Sequence, residues 1–307
     1  MNLEKAKAPL AVIGIGWVMH DSILLVPKYP AEDTKTEALK EVDQVGGPVA
    51  RALSVISSLG FETAVSAVLG ADESGLVCSH VLSVRGVLTE DLQVVEGGQT
   101  RRSQVWVSSH NASRTTVYSN SALPSLDNLS NLMAAAESSE ILHLDGRELQ
   151  VAVPVAGHMR KLGKTVVVDA GGWKLNLESL LAYTDILIVS LRTLKVSAIG
   201  DLAPRARRLR DEHGLRSVVV TGGKKGAWVL EKDALCHVPA SVVQPVDTHG
   251  AGDAFAGGLI YGLLRGWPLL ESVRFGSGVA ALGCEHFGDF FPSVEGVVEL
   301  LAKGGRQ

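Results

Sequence analysis

Cysteine is scarce in this chain: three in 307 residues, Cys78, Cys236 and Cys284. An odd number so widely spaced builds neither a disulfide framework nor a metal-ligand cluster, so reduced thiols are expected. No apolar run reaches the roughly 20 residues that a bilayer span requires. The start MNLEKAKAPLAVIGIGW offers an apolar run of only about eight residues, too short for a secretory leader, and a cytoplasmic protein is expected. Neither charge sign dominates: 29 Lys and Arg face 33 Asp and Glu, for a net charge of −4 with no clustered basic face. That balance argues against nucleic-acid binding as the main activity. Several nucleotide and catalytic signatures are also missing, among them G-x-x-x-x-G-K-[ST], the protein-kinase set and the G-x-S-x-G elbow. Gly14 and Gly16 follow an apolar run, but Met19 stands where a dinucleotide turn needs its third glycine.

What is present is a core-forming chain, 46% hydrophobic and 20% charged. The runs at 10–16, 165–170, 185–190 and 217–223 are continuously apolar and of strand length, the pattern of strands covered on both faces. Helical patterns at 47–60, 151–163 and 202–214 lie between them, so an α/β fold with a mostly parallel, doubly wound sheet is expected. Residues 17–45 and 93–121 break the rhythm with polar alternation, as in TRRSQVWVSSH, which suggests antiparallel strands. They read as a small β lid over a catalytic domain made of 1–16, 46–92 and 122–307, or as ordinary surface hairpins. The closing KGGRQ reads as a frayed tail.

The most informative stretch is VDTHGAGDAFAGGLIYGLL, residues 246–264. The run Gly250-Ala251-Gly252 lets consecutive amides converge at the mouth of an apolar helix, where orphan donors and the helix dipole favour an anion. Asp253 follows directly. It is either a plain helix cap or a general base beside a bound phosphate. Gly257 and Gly258, costly inside a helix, tilt that choice toward function.

DTHGAGDAF resembles the DTTGAGDAF signature of the ribokinase-like, phosphofructokinase-B-type carbohydrate kinases. The resemblance runs nearly end to end, through VGGPVARALSVISSLG (45–60), VLGADESG (68–75) and VVVTGGKKGAWVL (218–230). It implies an ATP-dependent kinase with Asp253 as base and the amides of Gly250, Ala251 and Gly252 as the anion hole. Thr221, Gly223 and Gly226 would lie under the ATP phosphates and ribose, and Ala280 and Cys284 beside adenine. Asp247 and Thr248 would hold a monovalent cation, K+, while Mg2+ bridges the phosphates. Two departures stand out. His249 replaces a threonine of the signature, either touching phosphate or merely tolerated in the loop. Ser190 and Thr193 stand where the family's N-x-x-E would fall, removing a carboxylate linked to magnesium; Asp185 lies at the wrong end of its strand to replace it.

Within the family, the chain is similar to ketohexokinases and sulfofructose kinases in DSILLVPKYPAEDTK (21–35), LHLDGRE (142–148) and SVRFGSGVAALGCEHFGDF (272–290). That similarity implies a ketose-like sugar, with Asp21, Asp33 and Asn111 facing its hydroxyls and Gly47 in the first glycine motif. Pro48 and Arg51 occupy positions where relatives carry asparagines. A permanent guanidinium suits an anionic group, so Arg51 or Arg147 could grip an acidic substituent, with Arg101 and Arg102 as further candidates; equally, Arg51 could face solvent. The alternatives are a kinase for another polyol or nucleoside, or a catalytically weak ligand-binding member. Pairing of the lids into a homodimer is a further implication of the resemblance.

Overall fold

Strands covered on both faces by helices must be apolar on both faces, and the alternating residues of this chain divide between two cores accordingly. The computed structural model describes residues 9–196 and 198–304. Residues 1–8 of the expected catalytic domain and 305–307 of the expected tail lie outside the described residues.

The chain opens with β1 (Val12–Ile15), β2 (Met19–Val26) and β3 (Lys40–Gly46), then α1 (Pro48–Ser58), β4 (Thr63–Ser66), β5 (Val68–Gly70) and α2 (Glu73–Val84). Next come β6 (Val87–Leu88), β7 (Gln93–Val95), β8 (Arg102–Ser108), β9 (Arg114–Ser119) and α3 (Leu129–Ser138). Strands and helices then alternate through β10 (Ile141–Leu144), α4 (Leu149–Lys161), β11 (Thr165–Gly171), α5 (Glu178–Leu181), β12 (Ile186–Ser190), α6 (Leu202–His213) and β13 (Ser217–Thr221). The hairpin β14 (Ala227–Glu231) and β15 (Ala234–Val238) precedes α7 (Ala251–Leu264), α8 (Leu269–Cys284) and α9 (Val294–Gly304). Among the described residues no helix is long and apolar enough to cross a membrane.

Nine strands form the main sheet in the order β15-β14-β13-β12-β11-β10-β1-β4-β6. It is parallel from β13 to β6, and the β14–β15 hairpin extends it antiparallel at one edge. Leu142, Leu144, Val166, Val168, Leu187, Val189, Val218 and Val220 enter one core, while Ile141, Val167, Ile186, Ile188 and Val219 enter the other. That is the period-two split of a sheet buried on both sides.

A separate four-stranded sheet runs β3-β2-β8-β9. Its two outer pairings are antiparallel, as expected, but β2 and β8 pair parallel. These two strands come from distant segments and share no turn, so nothing forces them antiparallel. Ile23, Leu25, Val105 and Val107 are buried on this sheet against Val42 and Phe287.

The glycines of α7 serve packing. A Cβ on Gly257 would lie 2.8 Å from the Ala52 carbonyl of α1, and one on Gly258 2.8 Å from the Gly276 Cα of α8. A Cβ on Gly276 would meet the Phe255 carbonyl at 2.6 Å. Close helix crossing therefore explains the residues whose helix cost had pointed to function. Gly276→Val should lower the denaturation free energy by about 2–3 kcal/mol through overpacking, read as a shift in denaturant midpoint at unchanged slope.

Candidate active site

The site is assembled around the start of α7. Gly250 is its N-cap with φ +71°, a left-handed conformation that glycine adopts without penalty, and no side chain caps the helix. Asp253 sits in the first turn of this helix, and no hydrogen bond joins its carboxylate to the helix amides. Its carboxylate is about one-fifth exposed and lies 3.6 Å from Arg51 Nε. Burial raises its pKa, while Arg51 and then His249 and Arg114 pull it back down.

Arg51 is mostly buried, not solvent-facing. Its Nη2 donates to the His249 carbonyl at 3.5 Å and its Nη1 is 3.9 Å from Asp289 Oδ1. The guanidinium lies flush against the anion loop, so that a Cβ on Gly250 would be 2.2 Å from its Nε.

His249 is more than a tolerated loop residue. Its Nε2 is 2.9 Å from Asp21 Oδ2, while Ser103 Oγ donates to Asp21 Oδ1 at 2.6 Å. Thr248 Oγ1 donates to the Ala112 carbonyl and accepts from Arg114 Nη1. Side chains of the small sheet and its β8–β9 turn therefore hold the anion loop directly. Gly47, at φ +103°, faces the Trp17 carbonyl so closely that a Cβ would be 2.0 Å away, which brings β3 and α1 down onto this corner.

The carboxyl ends of β10 and β11 contribute groups that sequence reasoning left out. Buried Asp145 accepts from the Trp17 and Arg147 amides, and Asp169 accepts from the Gly171 amide. Burial and the charge of Asp253 push Asp169 up to about 7, with Lys174 opposing. Trp17 carries two guanidinium groups on its ring, Arg147 at 3.6 Å and Arg101 at 4.2 Å from the centroid. Arg101 is 4% exposed, and its Nε, like Arg147 Nε and both amide atoms of Gln44, is buried without a hydrogen-bond partner. In β3, Gln44 is the register partner of Asp21. The available signal was positional: ligands of open α/β sheets bind beyond the carboxyl ends of strands, Asp169 lies near the end of the apolar run 165–170, and Asp145 follows the short run Ile141–Leu144.

Other expected residues divide. Thr221, Gly223 and Gly226 form the turn at the carboxyl end of β13, with Gly223 and Gly226 both at positive φ. Ala280 and Cys284 lie along α8, and the Cys284 carbonyl accepts from the Val246 and Asp247 amides. Asp33 is not drawn into the site: it is exposed at φ +57° on the β2–β3 connection. Asn111 is also exposed, and its Oδ1 is spent within its own turn on Ser113 N and Oγ. Ser190 Oγ and Thr193 Oγ1 pair at 2.9 Å, and Thr193 Oγ1 donates to the Gly171 carbonyl, which makes a local brace with no carboxylate. Asp185 binds Arg160 and the Val166 amide at the amino end of β12.

The family model described as pfkB family carbohydrate kinase matches residues 10–295. Mouse ketohexokinase is 27% identical over 89% of this chain and 95% of its own. Two solved structures share the fold. An Arabidopsis thaliana ribokinase complexed with ribose and ATP has a TM-score of 0.82 at 21% identity, covering 95% and 99% of the two chains. Escherichia coli phosphofructokinase-2 in complex with potassium has 0.79 at 20%, covering 97% and 100%.

Asp169 yields a stability test. Its folded pKa of about 7 exceeds the ordinary 3.8, so its contribution is fully present below the unfolded value and is lost as pH rises through 7. Asp169→Asn should raise the melting temperature by a few degrees at pH 8 relative to wild type, with the difference shrinking toward pH 4. Parallel melting curves across that range check it.

Proposed function

The chain belongs to the pfkB family of carbohydrate kinases, and within it we propose a kinase for a ketose-like sugar carrying an acidic substituent, phosphorylated on a hydroxymethyl oxygen. It is an ATP-dependent carbohydrate kinase, a phosphotransferase with an alcohol acceptor. The observation that carries the mechanism is the carboxylate of Asp253 in the uncapped first turn of α7. Asp253 takes the acceptor proton as the sugar oxygen bonds to the γ-phosphorus and the bond to the β,γ-bridging oxygen breaks, leaving ADP. The Gly250, Ala251 and Gly252 amides stabilise the charge on the phosphoryl group in transit. Burial raises the Asp253 pKa, and Arg51, followed by His249 and Arg114, opposes that rise on the side of the ionised base.

Magnesium fits the residues present. Asp169 and Asp253 repel each other at this end of the sheet, and a divalent cation arriving with the nucleotide would relieve that excess negative charge. The chemistry it supplies is neutralisation of phosphate oxygens. The monovalent ion implied by the resemblance would fall to Asp247, whose oxygens also accept from the His249 and Gly288 amides, and to the Thr248 backbone.

For the acidic substituent, support comes from Arg101 and Arg147. Two guanidinium groups on one indole, each with an unpartnered buried nitrogen, form a donor-rich and acceptor-poor corner suited to a carboxylate, sulfonate or phosphate. Arg51 is not needed for that grip. The small sheet acts as a lid that excludes water, since water would compete as acceptor. Its edge strand β9 is exposed along its whole length, Val117 and Tyr118 included, which supports pairing of two lids into a homodimer.

An ADP-release assay over neutral and acidic ketoses tests the reading. Asp253→Asn should lower kcat by about 10²–10⁴-fold. Arg147→Ala should raise KM for the acidic acceptor by about 10–100-fold and leave that of the neutral one nearly unchanged. A panel flat for both wild type and Asp253→Asn would instead point to a ligand-binding member. Val117→Lys should convert any dimer to monomer in sedimentation velocity without lowering the melting temperature.

A further inference from the structure

We propose that the guanidinium of Arg51 is the resident cation of the anion loop, doing in this chain what a bound monovalent ion would otherwise do. Three observations support the assignment. First, Arg51 is bonded to the loop itself: Nη2 meets the His249 carbonyl, and the group lies flush against Gly250. Second, it reaches two carboxylates on either side, Asp253 at 3.6 Å and Asp289 of the segment after α8 at 3.9 Å. Arg85 binds Asp289 as well and stacks on Phe291, so the acid that holds Arg51 is itself held. Third, Arg51 forms one side of a small crevice, about 30 Å³, that it shares with Arg85, His249, Gly250, Asp289 and Phe291.

A cation beside such a loop has two physical tasks. It offsets carbonyl dipoles and carboxylates that would otherwise repel an incoming polyphosphate, and it pins the loop so that its amides stay convergent. A guanidinium does both without exchange, because it is always charged and covalently attached to α1. A free ion must be bound from solution and gives the loop a salt requirement. Asp247, which opens the loop, accepts from the His249 and Gly288 amides.

The consequence is a kinase indifferent to K+. For its activity readout alone, this inference rests on the function proposed above. The test compares the full chain in potassium chloride and in tetramethylammonium chloride at equal ionic strength. Backbone hydrogen exchange over residues 247–252, the melting temperature and kcat are each measured in both salts. All three should agree between salts in the wild type, kcat within about twofold. Arg51→Ala should accelerate exchange over 247–252 by about tenfold or more, and Asp289→Asn should do so to a smaller extent. Potassium-specific slowing of exchange in the wild type overturns the proposal, as does Arg51→Ala exchanging at the wild-type rate. Should Arg51→Ala fail to fold, the two-salt comparison of the wild type still decides. If no acceptor is turned over at all, the kinase reading falls while exchange and melting still judge Arg51.

Discussion

The site depends on one electrostatic conflict: a helix N-terminus, which favours an anion, stands where three buried or half-buried carboxylates converge. Asp253 lies in the first turn of α7, and Asp145 and Asp169 end the neighbouring strands β10 and β11. Left alone, these acids would repel one another and any polyphosphate. The fold answers with cations on fixed supports: Arg51 against Asp253, Arg147 3.7 Å from Asp145, and Lys174 coupled to all three acids. Burial, and after it the charge of Asp253, push the Asp169 carboxyl up to about 7.

The second constraint is mechanical. Asp21 of β2 and His249 of the anion loop are bonded across two sheets, and Thr248 is bonded to the turn between β8 and β9. Motion of the small sheet therefore cannot leave the loop undisturbed. On the function proposed above, a lid that closes over its substrate would also set the loop amides, because the same hydrogen bonds join the two. A side chain at position 249 able to reach Asp21 makes this coupling, and an imidazole does so with a polarity that depends on its protonation.

Much of this was legible beforehand. The buried strands read out as continuous apolar runs because both faces of the sheet are covered, and the Gly-Ala-Gly-Asp stretch announced itself because amide convergence has a local signature. The pairing of β2 with β8 was not legible, since register between distant segments is set by tertiary packing. Gly257 and Gly258 were misread for a related reason: a glycine demanded by a crossing helix looks, in one dimension, like one demanded by a ligand. Asp33 and Asn111 carry the right chemistry in the sequence but end up exposed, because their orientation belongs to loop geometry. The cation–indole stack of Trp17, Arg101 and Arg147 joins three segments that no local pattern connects.

Pro48 and Arg51 make most sense as a linked pair of changes. Pro48 occupies the first position of α1, where a missing amide costs nothing and a fixed φ starts the helix cleanly. It presents no polar group to a sugar. One turn later, Arg51 reaches the His249 carbonyl of the anion loop and the carboxylate of Asp253. Unpartnered buried atoms remain at the loop, on Arg51 Nη1 and His249 Nδ1, and in the wall formed by Gln44, Arg101 and Arg147, where both ends of Gln44, Arg101 Nε and Arg147 Nε are unmet. Unmet hydrogen-bonding capacity in a buried wall is costly unless something completes it, and this wall is short of acceptors. A substrate rich in acceptors, with a negative group among them, is the partner whose chemistry balances it.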